Sequence, residues 1–190
     1  MVKAIFLDRD GTINVEKNYL YQIEEFEFLP GVIEALQKFQ ELGYLLIIVT
    51  NQSGIARGYY TEEDFQKLNA WMIDTLKKHG IDIAKIYYCP HLPDAQIEQY
   101  RKICDCRKPA LGMYEQAIAE YEINLSQSYA IGDKLRDLEI CKRTECRGYL
   151  LGFGEDIDVI SNIKLEEYKG IKYKESLLAC VEDIEMEGYQ

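Results

Sequence analysis

Ala4-Ile5-Phe6-Leu7-Asp8-Arg9-Asp10-Gly11-Thr12-Ile13-Asn14 is the stretch that decides the fold. Residues 3 to 7 form a short apolar run without helical period, and Gly11 follows almost at once, which predicts a buried parallel strand ending in a loop. Such a strand presents Asp8 and Asp10 at its carboxyl end, where ligands bind in open α/β sheets. Two acids this close are costly without a cation, and Mg²⁺ suits oxygen ligands that also meet phosphates. Taken alone, a solvated Asp-x-Asp-Gly turn explains the same residues.

Outward from this strand, apolar runs alternate with segments of helical period. This alternation predicts a doubly wound parallel α/β sheet formed by one domain, residues 1–190. Further strands are predicted at 44–49, 83–88, 128–131, 148–151 and 170–173, and helices at 30–43, 61–80, 110–121, 135–144 and from 176. The polar residues 12–28 are interpreted as a flap over the strand end, with no large cap domain, and residues 89–109 as an irregular loop.

Composition narrows the classes of partner. A formal net charge of -11 disfavours nucleic acid and anionic membranes, because the field of the whole protein repels both. The sequence contains no apolar run of the roughly 20 residues that a membrane span needs and no signal-peptide core, so a cytoplasmic location is expected. A monomer is also expected. In that compartment the six cysteines are better explained as thiols or metal ligands than as disulfides.

Polar residues also follow the later strands. Thr50 ends the second strand, Lys108 precedes a helix, and Gly132-Asp133 ends the fourth strand with Asp137 close behind. Each has a simple structural explanation when taken singly, as a cap or a solvated charge. Together, in this order and at these strand ends, they favour an active site.

The set Asp8-Arg9-Asp10-Gly11-Thr12, Thr50, Lys108 and Gly132-Asp133 resembles the motifs of the haloacid dehalogenase superfamily, in its histidinol-phosphatase-like branch. The resemblance implies a magnesium-dependent phosphatase. Asp8 would be the nucleophile and Asp10 the acid and base, with Thr50 and Lys108 completing the catalytic set. Asp8, Asp10 and Asp133 would hold Mg²⁺, and Asp137 would support them without being a ligand.

The same resemblance implies a small sugar phosphate as substrate, in the supply of activated sugar for surface glycans. Its contacts would come from Glu16, Lys17, Asn18, Tyr19, Asn51, Gln52, Ser53, Arg107 and Lys134. Two alternatives stay open. One is a histidinol-phosphate phosphatase, and the other is a binding protein that keeps the fold without turnover.

Cys89-Pro90-His91 and Cys104-Asp105-Cys106 form a second constellation. Three thiolates and one imidazole in two short chelating pairs suit tetrahedral Zn²⁺ with no open position, which is typical of a structural site. A zinc ion would staple the 89–109 loop and orient Arg107 and Lys108. Reduced surface cysteines and a redox disulfide are the alternatives, and Cys141, Cys146 and Cys180 are expected to be ordinary buried thiols.

Twelve residues separate His91 from Cys104, and this loop carries Arg101 and Lys102. With Arg107 and Lys134 they are the predicted cations for a second, uncleaved phosphate. Such a cluster would favour a bisphosphate over histidinol phosphate, whose other end is cationic.

Overall fold

The computed structural model describes residues 1–152 and 171–187. Within them a six-stranded sheet has the order β3-β2-β1-β4-β5-β6, and every neighbouring pair is parallel. The strands are β1 Ala4–Leu7, β2 Leu45–Asn51, β3 Ile83–Cys89, β4 Tyr129–Gly132, β5 Arg147–Leu151 and β6 Ile171–Lys174. The predicted doubly wound sheet is therefore confirmed.

Helices cover both faces of this sheet. They are α1 Val32–Glu41, α2 Ser53–Ala56, α3 Glu62–Lys78, α4 Gly112–Tyr121, α5 Glu139–Arg143 and α6 Leu177–Glu187. The short α2 is absent from the sequence-based prediction, and the helix predicted at 135–144 begins as a 3₁₀ turn over Leu135–Leu138. None of the described helices has the length and apolar character needed to cross a membrane.

Two helix boundaries show how local chemistry sets the elements. Thr61 caps α3 in a reciprocal box, since its side chain accepts from Asp64 N at 3.1 Å while Asp64 Oδ2 accepts from Thr61 N at 2.9 Å. Helix α1 begins after Gly31, whose φ of 76° is a left-handed conformation that favours glycine. Pro30 thus precedes this helix, whereas the sequence analysis placed it in the first turn.

The core lies in two layers, one on each face of the sheet. Ile5 and Leu7 of β1 pack with α1, α3 and α6, through residues such as Leu36, Met72 and Ile184. Ala4 and Phe6 pack on the opposite face with α4 and α5, and Phe6 meets the Tyr114 ring edge-on at 5.3 Å between centroids. Because both faces are covered, the strand sequences are continuously apolar rather than alternating.

The connections bring two strand ends together. The chain runs outward from β1 through β2 to β3, then returns to pair β4 with the other side of β1. A crevice opens at such a reversal of strand order, outside the carboxyl ends of the two central strands. Asp8 follows β1 and Asp133 follows β4, so the topology places both acids at this crevice.

Residues 12–28, interpreted as a flap, fold back on themselves beside the crevice. Val15 N donates to Glu27 O at 2.9 Å and Leu29 N donates to Ile13 O at 3.0 Å, which pairs the two ends of the segment. Tyr21 stacks on Tyr60, with ring centroids 5.5 Å apart. The flap is thereby packed against the segment that follows α2.

We expect Leu36→Ala to lower the free energy of unfolding by about 2–5 kcal/mol, because it opens a cavity in a fully buried layer of the core. Urea denaturation measures the change. Glu34→Ala is the matched control on the exposed face of α1, where only an ion pair with Lys38 is lost, and a change within about 0.5 kcal/mol is expected. Equal losses in the two variants would contradict the packing described.

Candidate active site

A buried lysine joins two carboxylates at the base of the crevice. Lys108 Nζ donates to Asp8 Oδ1 at 2.9 Å and to Val49 O at 2.6 Å, and it lies 2.7 Å from Asp137 Oδ1. The side chains of Lys108, Asp8 and Asp137 are 1%, 8% and 2% exposed. Solvent therefore contributes little screening, and the three charges depend on one another.

Burial and charge have opposing effects on the pKa values of Asp8 and Lys108. Burial raises the pKa of Asp8 to about 6, against the opposing effect of the Lys108 charge. Burial alone would lower the pKa of Lys108, but the carboxylates of Asp137 and Asp8 outweigh it and raise that pKa. Lys108 is thus held as a cation next to Asp8.

The end of β2 fixes the main chain of this lysine. Asn51 Nδ2 donates to Lys108 O at 3.0 Å, and Asn51 Oδ1 accepts from Lys108 N at 3.0 Å. The peptide bond that follows, between Lys108 and Pro109, is cis. A side-chain amide thus binds the peptide groups of Lys108 as a neighbouring strand would.

Asp10 is held by donors on three sides. Arg9 Nη2 lies 2.9 Å from Asp10 Oδ2, Gln52 Nε2 donates to the same oxygen at 3.0 Å, and Asn14 Nδ2 donates to Oδ1 at 3.0 Å. Gln52 also donates to Thr50 Oγ1 at 2.9 Å. The amide of Gln52, predicted to contact substrate, is therefore engaged in orienting Asp10 and Thr50.

The sequence motifs indicated no role for Arg9, although it stands between the two acids. Its side chain is fully buried, its Nη2 donates to Leu20 O at 3.3 Å, and its guanidinium lies 5.4 Å from the centre of the Phe65 ring. Strand alternation was the available signal, because it turns position 9 away from the side of Asp8 and Asp10. An arginine there must be buried and needs a carboxylate partner.

Carboxylate oxygens of Asp8, Asp133 and Asp137 lie within 4.8 Å of one another, close enough to hold a metal ion. Hard oxygen donors of this kind fit Mg²⁺. Asp137 is already engaged, because Oδ1 faces Lys108 and Oδ2 accepts from Lys134 N at 3.0 Å. Asp8 and Asp133 are thus the carboxylates that remain for a metal.

Gly11 allows the first loop to approach Asp133. Its φ is 80°, and a Cβ at this position would lie 2.5 Å from Asp133 Oδ2. Burial raises the pKa of Asp133, even though Lys134 Nζ lies 2.7 Å from the same oxygen. A glycine is therefore required where the loops after β1 and β4 meet.

Two connected spaces lie above these groups. The inner recess has a volume of about 50 Å³ and the outer pocket about 440 Å³. The recess is lined by Asp8, Asp10, Glu16, Thr50, Asn51, Lys108, Asp133, Lys134 and Arg136. The outer pocket is lined by Asp10, Glu16, Asn18, Tyr19, Asn51, Gln52, Ser53, Arg57, Tyr60, Arg107, Lys134 and Arg136.

Most predicted site residues meet in these spaces, with three exceptions. Lys17 lines neither, and its Nζ donates instead to Glu25 O at 2.8 Å within the flap. Arg101 and Lys102 also lie outside the pocket, and Arg101 Nε donates to Ala95 O at 2.7 Å. The structure corrects their assignment as cations for a second phosphate. Arg57 and Arg136, which the sequence analysis passed over, line the pocket in their place.

The second constellation converges as the spacing predicted. Cys106 Sγ lies 3.2 Å from Cys89 Sγ, 3.3 Å from Cys104 Sγ and 3.3 Å from His91 Nδ1. Zinc bonds of about 2.3 Å to sulfur place tetrahedral ligands roughly 3.8 Å apart, and these four atoms, at 3.2–3.6 Å, lie slightly closer together than that. The six cysteines are all free thiols, and Cys141, Cys146 and Cys180 are buried as expected. The cluster could hold a metal, and Arg107 follows its last ligand.

Comparisons with known proteins agree with this geometry. A family model described as Polynucleotide kinase 3 phosphatase matches residues 3–142. A D-glycero-beta-D-manno-heptose-1,7-bisphosphate 7-phosphatase from Haemophilus ducreyi is 54% identical over 137 residues, which are 72% of this chain and 75% of that protein. The protein of the same name from Escherichia coli strain K12 is 49% identical over 138 residues, covering 73% and 72% of the two chains.

Solved structures extend the similarity across the fold. The D,D-heptose 1.7-bisphosphate phosphatase from B. bronchiseptica, complexed with magnesium and phosphate, matches with a TM-score of 0.83 at 30% identity, over 98% of this chain and 99% of that one. Its counterpart from Burkholderia thailandensis matches with a TM-score of 0.68 at 25% identity, over 95% and 97% of the chains.

The doubly wound sheet, the Asp8 and Lys108 pair at its crevice and these relatives define a phosphoric monoester hydrolase of the haloacid dehalogenase superfamily. The chain belongs to the polynucleotide kinase 3 phosphatase family, and curated relatives at about 50% identity are named D-glycero-beta-D-manno-heptose-1,7-bisphosphate 7-phosphatase. The superfamily predicted from the motifs is confirmed.

The buried charges make a stability prediction. In metal-free protein at pH 8, Lys108→Met should lower the free energy of unfolding by about 3–5 kcal/mol, because Asp8 and Asp137 then face each other without a cation. Urea denaturation in the presence of a chelator measures the loss. Lys102→Met, which removes an exposed lysine, is the control and should change little. A loss for Lys108→Met no larger than the control's would contradict the charge arrangement.

Proposed function

We propose that this chain is a magnesium-dependent phosphatase that removes the 7-phosphate from D-glycero-β-D-manno-heptose 1,7-bisphosphate. The observation that carries the proposal is the buried Asp8, paired with Lys108, at the base of a pocket lined by several cations. The names of the curated relatives at about 50% identity, which specify the β anomer, support the choice of substrate.

The residue types suggest how the reaction proceeds. A carboxylate oxygen of Asp8 attacks phosphorus as the bond from phosphorus to the sugar oxygen breaks, which forms an aspartyl-phosphate. Asp10 gives a proton to the departing oxygen. It then takes a proton from the water that attacks phosphorus and releases inorganic phosphate from Asp8. The three donors that hold the Asp10 carboxylate keep it oriented for both transfers.

Phosphoryl transfer depends chiefly on positioning and charge stabilisation. Lys108 supplies a permanent positive charge next to Asp8, and Thr50 Oγ1 lies in the same recess. Asp8, Asp133 and the main-chain carbonyl of Asp10 would hold Mg²⁺, which when bound neutralises charge on the phosphoryl oxygens. The B. bronchiseptica relative, complexed with magnesium and phosphate, supports magnesium as the metal.

A small substrate fits the pocket better than a polynucleotide does. A volume of about 440 Å³ falls within the range of about 300–1,000 Å³ that small-molecule sites occupy. The net charge of -11 repels a nucleic acid backbone, although the name of the matching family model refers to a polynucleotide. By the same proposal the enzyme is a cytoplasmic monomer that acts in the supply of nucleotide-activated heptose for surface glycans.

The substrate is tested by specificity constants. We expect kcat/KM for heptose 1,7-bisphosphate to exceed that for histidinol phosphate by at least ~100-fold, or about 2.7 kcal/mol in transition-state binding. Cations that favour a second phosphate would repel the amine and imidazole of histidinol. Arg107→Ala should narrow the gap by acting mainly on the bisphosphate, whereas Lys102→Ala, in the same loop outside the pocket, should not.

Two controls accompany this test. Asp8→Asn should abolish turnover of both substrates while leaving the fold intact, since an amide keeps the shape without the nucleophile. A chelator should stop wild-type turnover, and added Mg²⁺ should restore it. Similar specificity constants for the two substrates would overturn the substrate assignment, and turnover by Asp8→Asn at the wild-type rate would overturn the mechanism.

We also propose that Cys89, His91, Cys104 and Cys106 hold a structural Zn²⁺ ion. The support is the short mutual distances of the four ligand atoms and a set that leaves no position open for substrate. Arg107 Nη1 donates to His91 O at 3.3 Å, so the cluster and the pocket share a segment. The ion would fix the loop that carries Arg107 and Lys108.

We expect about one equivalent of zinc per chain in protein purified without chelators. Cys104→Ser should lower the zinc content and thermal stability and raise KM more than it lowers kcat, because the pocket loosens before the chemistry is affected. Cys146→Ser removes a buried thiol outside the cluster and should retain the zinc. Zinc-free protein from a zinc-replete culture, or equal zinc in the two variants, would contradict the proposal.

A further inference from the structure

Charge is unevenly divided between the inner recess and the outer pocket. Three charged residues line the recess and not the outer pocket. Two of them, Asp8 and Asp133, are acids, and the third is Lys108. Two charged residues line the outer pocket and not the recess, and both are arginines, Arg57 and Arg107. The part of the pocket farther from the nucleophile is therefore positive, in a chain whose net charge is -11.

Arg57 is positioned without an acidic partner. It follows the last residue of α2, where its N donates to Ser53 O at 3.0 Å. Its guanidinium lies 6.0 Å from the centre of the Tyr19 ring, and Tyr19 in turn meets Tyr59 edge-on at 4.8 Å. The Nε of Arg57 is buried with no hydrogen-bond partner, and no carboxylate of the described residues forms an ion pair with this side chain.

Arg107, like Arg57, forms no ion pair with a carboxylate among the residues that the structure describes. Among the described residues its guanidinium is hydrogen-bonded to a main-chain oxygen, His91 O, rather than to a carboxylate. Arg57, Arg107 and Arg136 all line the outer pocket, so three guanidinium groups face one space. Arginines gathered in this way are stabilised by an anion that binds between them.

We propose that Arg57 is a specificity-determining residue that, with Arg107, forms a binding site for the phosphate that is not cleaved. The inference rests on the proposed function, since it concerns the second phosphate of a sugar bisphosphate. A guanidinium presents a planar set of donors that matches phosphate oxygens, and two of them oppose a dianion better than one. Tyr19 keeps Arg57 in place through the face of its ring.

This assignment separates two kinds of cation in one pocket. Lys134 and Arg136 line both spaces, so they act near the transferred phosphoryl group as well as near the rest of the substrate. Arg57 lines the outer space alone. A change at Arg57 should thus affect recognition of a second phosphate, while a change at Arg136 should affect monophosphates and bisphosphates together.

The test uses Asp8→Asn protein with Mg²⁺, in which substrate binding is expected to proceed without turnover. Calorimetry gives dissociation constants for two pairs of probes, heptose 1,7-bisphosphate with heptose 7-phosphate and fructose 1,6-bisphosphate with fructose 6-phosphate. Adding Arg57→Gln should reduce the preference for each bisphosphate by about tenfold or more, whereas Arg57→Lys should retain most of it. Arg143→Gln, in α5 and paired with Glu139, is the matched control and should leave the preference unchanged.

Turnover by the otherwise wild-type enzyme gives a second readout. Arg57→Gln should raise KM for the bisphosphate with little change in kcat, and it should reduce the salt dependence of KM because one charge contact is lost. Tyr19→Leu should weaken bisphosphate recognition in the same direction, because the ring face against Arg57 is lost. A merely structural role for Arg57 would instead lower thermal stability and affect both members of each probe pair equally.

Three results separate the two proposals. An unchanged bisphosphate preference in Arg57→Gln, or an equal loss for monophosphate and bisphosphate, would overturn the inference even if heptose 1,7-bisphosphate is cleaved. If the enzyme fails to cleave heptose 1,7-bisphosphate but prefers fructose 1,6-bisphosphate through Arg57, the proposed substrate is wrong and the site stands. Loss of the bisphosphate preference in Arg57→Gln, together with an unchanged preference in Arg143→Gln, would support the proposed role of Arg57.

Discussion

The contact of Lys108 with Asp8 and Asp137 is the constraint on which the rest of the structure depends. An ion pair this deeply buried loses most of its hydration, so it persists only where geometry and further hydrogen bonds compensate. The β-sheet supplies that geometry. Asp8 follows β1, Asn51 of β2 binds the peptide groups of Lys108, and Asp137 stands beyond β4 with its main-chain oxygen bound by the Tyr114 hydroxyl at 2.7 Å. A shift of any one strand would separate the charges.

The net charge of the chain repels phosphate, yet the substrate is a phosphate ester. The position of the charges, some buried and some lining the pocket, resolves this difficulty. Lys108 is neutralised by its carboxylates, so the buried site by itself is not an anion trap. Attraction comes from Arg57, Arg107, Arg136 and Lys134, which line the pocket above it. Their fields act over short distances in a partly enclosed space, whereas the acids of the outer surface are screened over about 8–10 Å at physiological salt. Local arrangement therefore prevails over net charge.

Patterns along the chain were sufficient to predict the sheet, the paired acids and the Cys/His cluster, because each depends on local sequence. The apolar run before Asp8 and the cap at Thr61 are signals of that kind. The direction in which a side chain points toward a distant segment does not depend on local sequence. The buried role of Arg9, the engagement of Gln52 with Asp10 and the turning of Arg101 toward Ala95 O follow from how separate segments pack. The short α2 was also missed, although it is what places Arg57 at the pocket.

The family model and the curated relatives carry names that specify very different substrates, a polynucleotide in the first case and a heptose bisphosphate in the second. In this chain the inner recess is made by strand ends, whose positions the core fixes, and the outer pocket by the flap, the segment after α2 and the metal-capable loop. Lys108 belongs to the metal-capable loop, but Asn51 and Asp137 hold it against Asp8, so the flap and the segment after α2 can change without disturbing that contact. We infer that the segments that contribute Tyr19, Arg57 and Arg107 determine the choice of substrate, while the strand ends and Lys108 provide the chemistry.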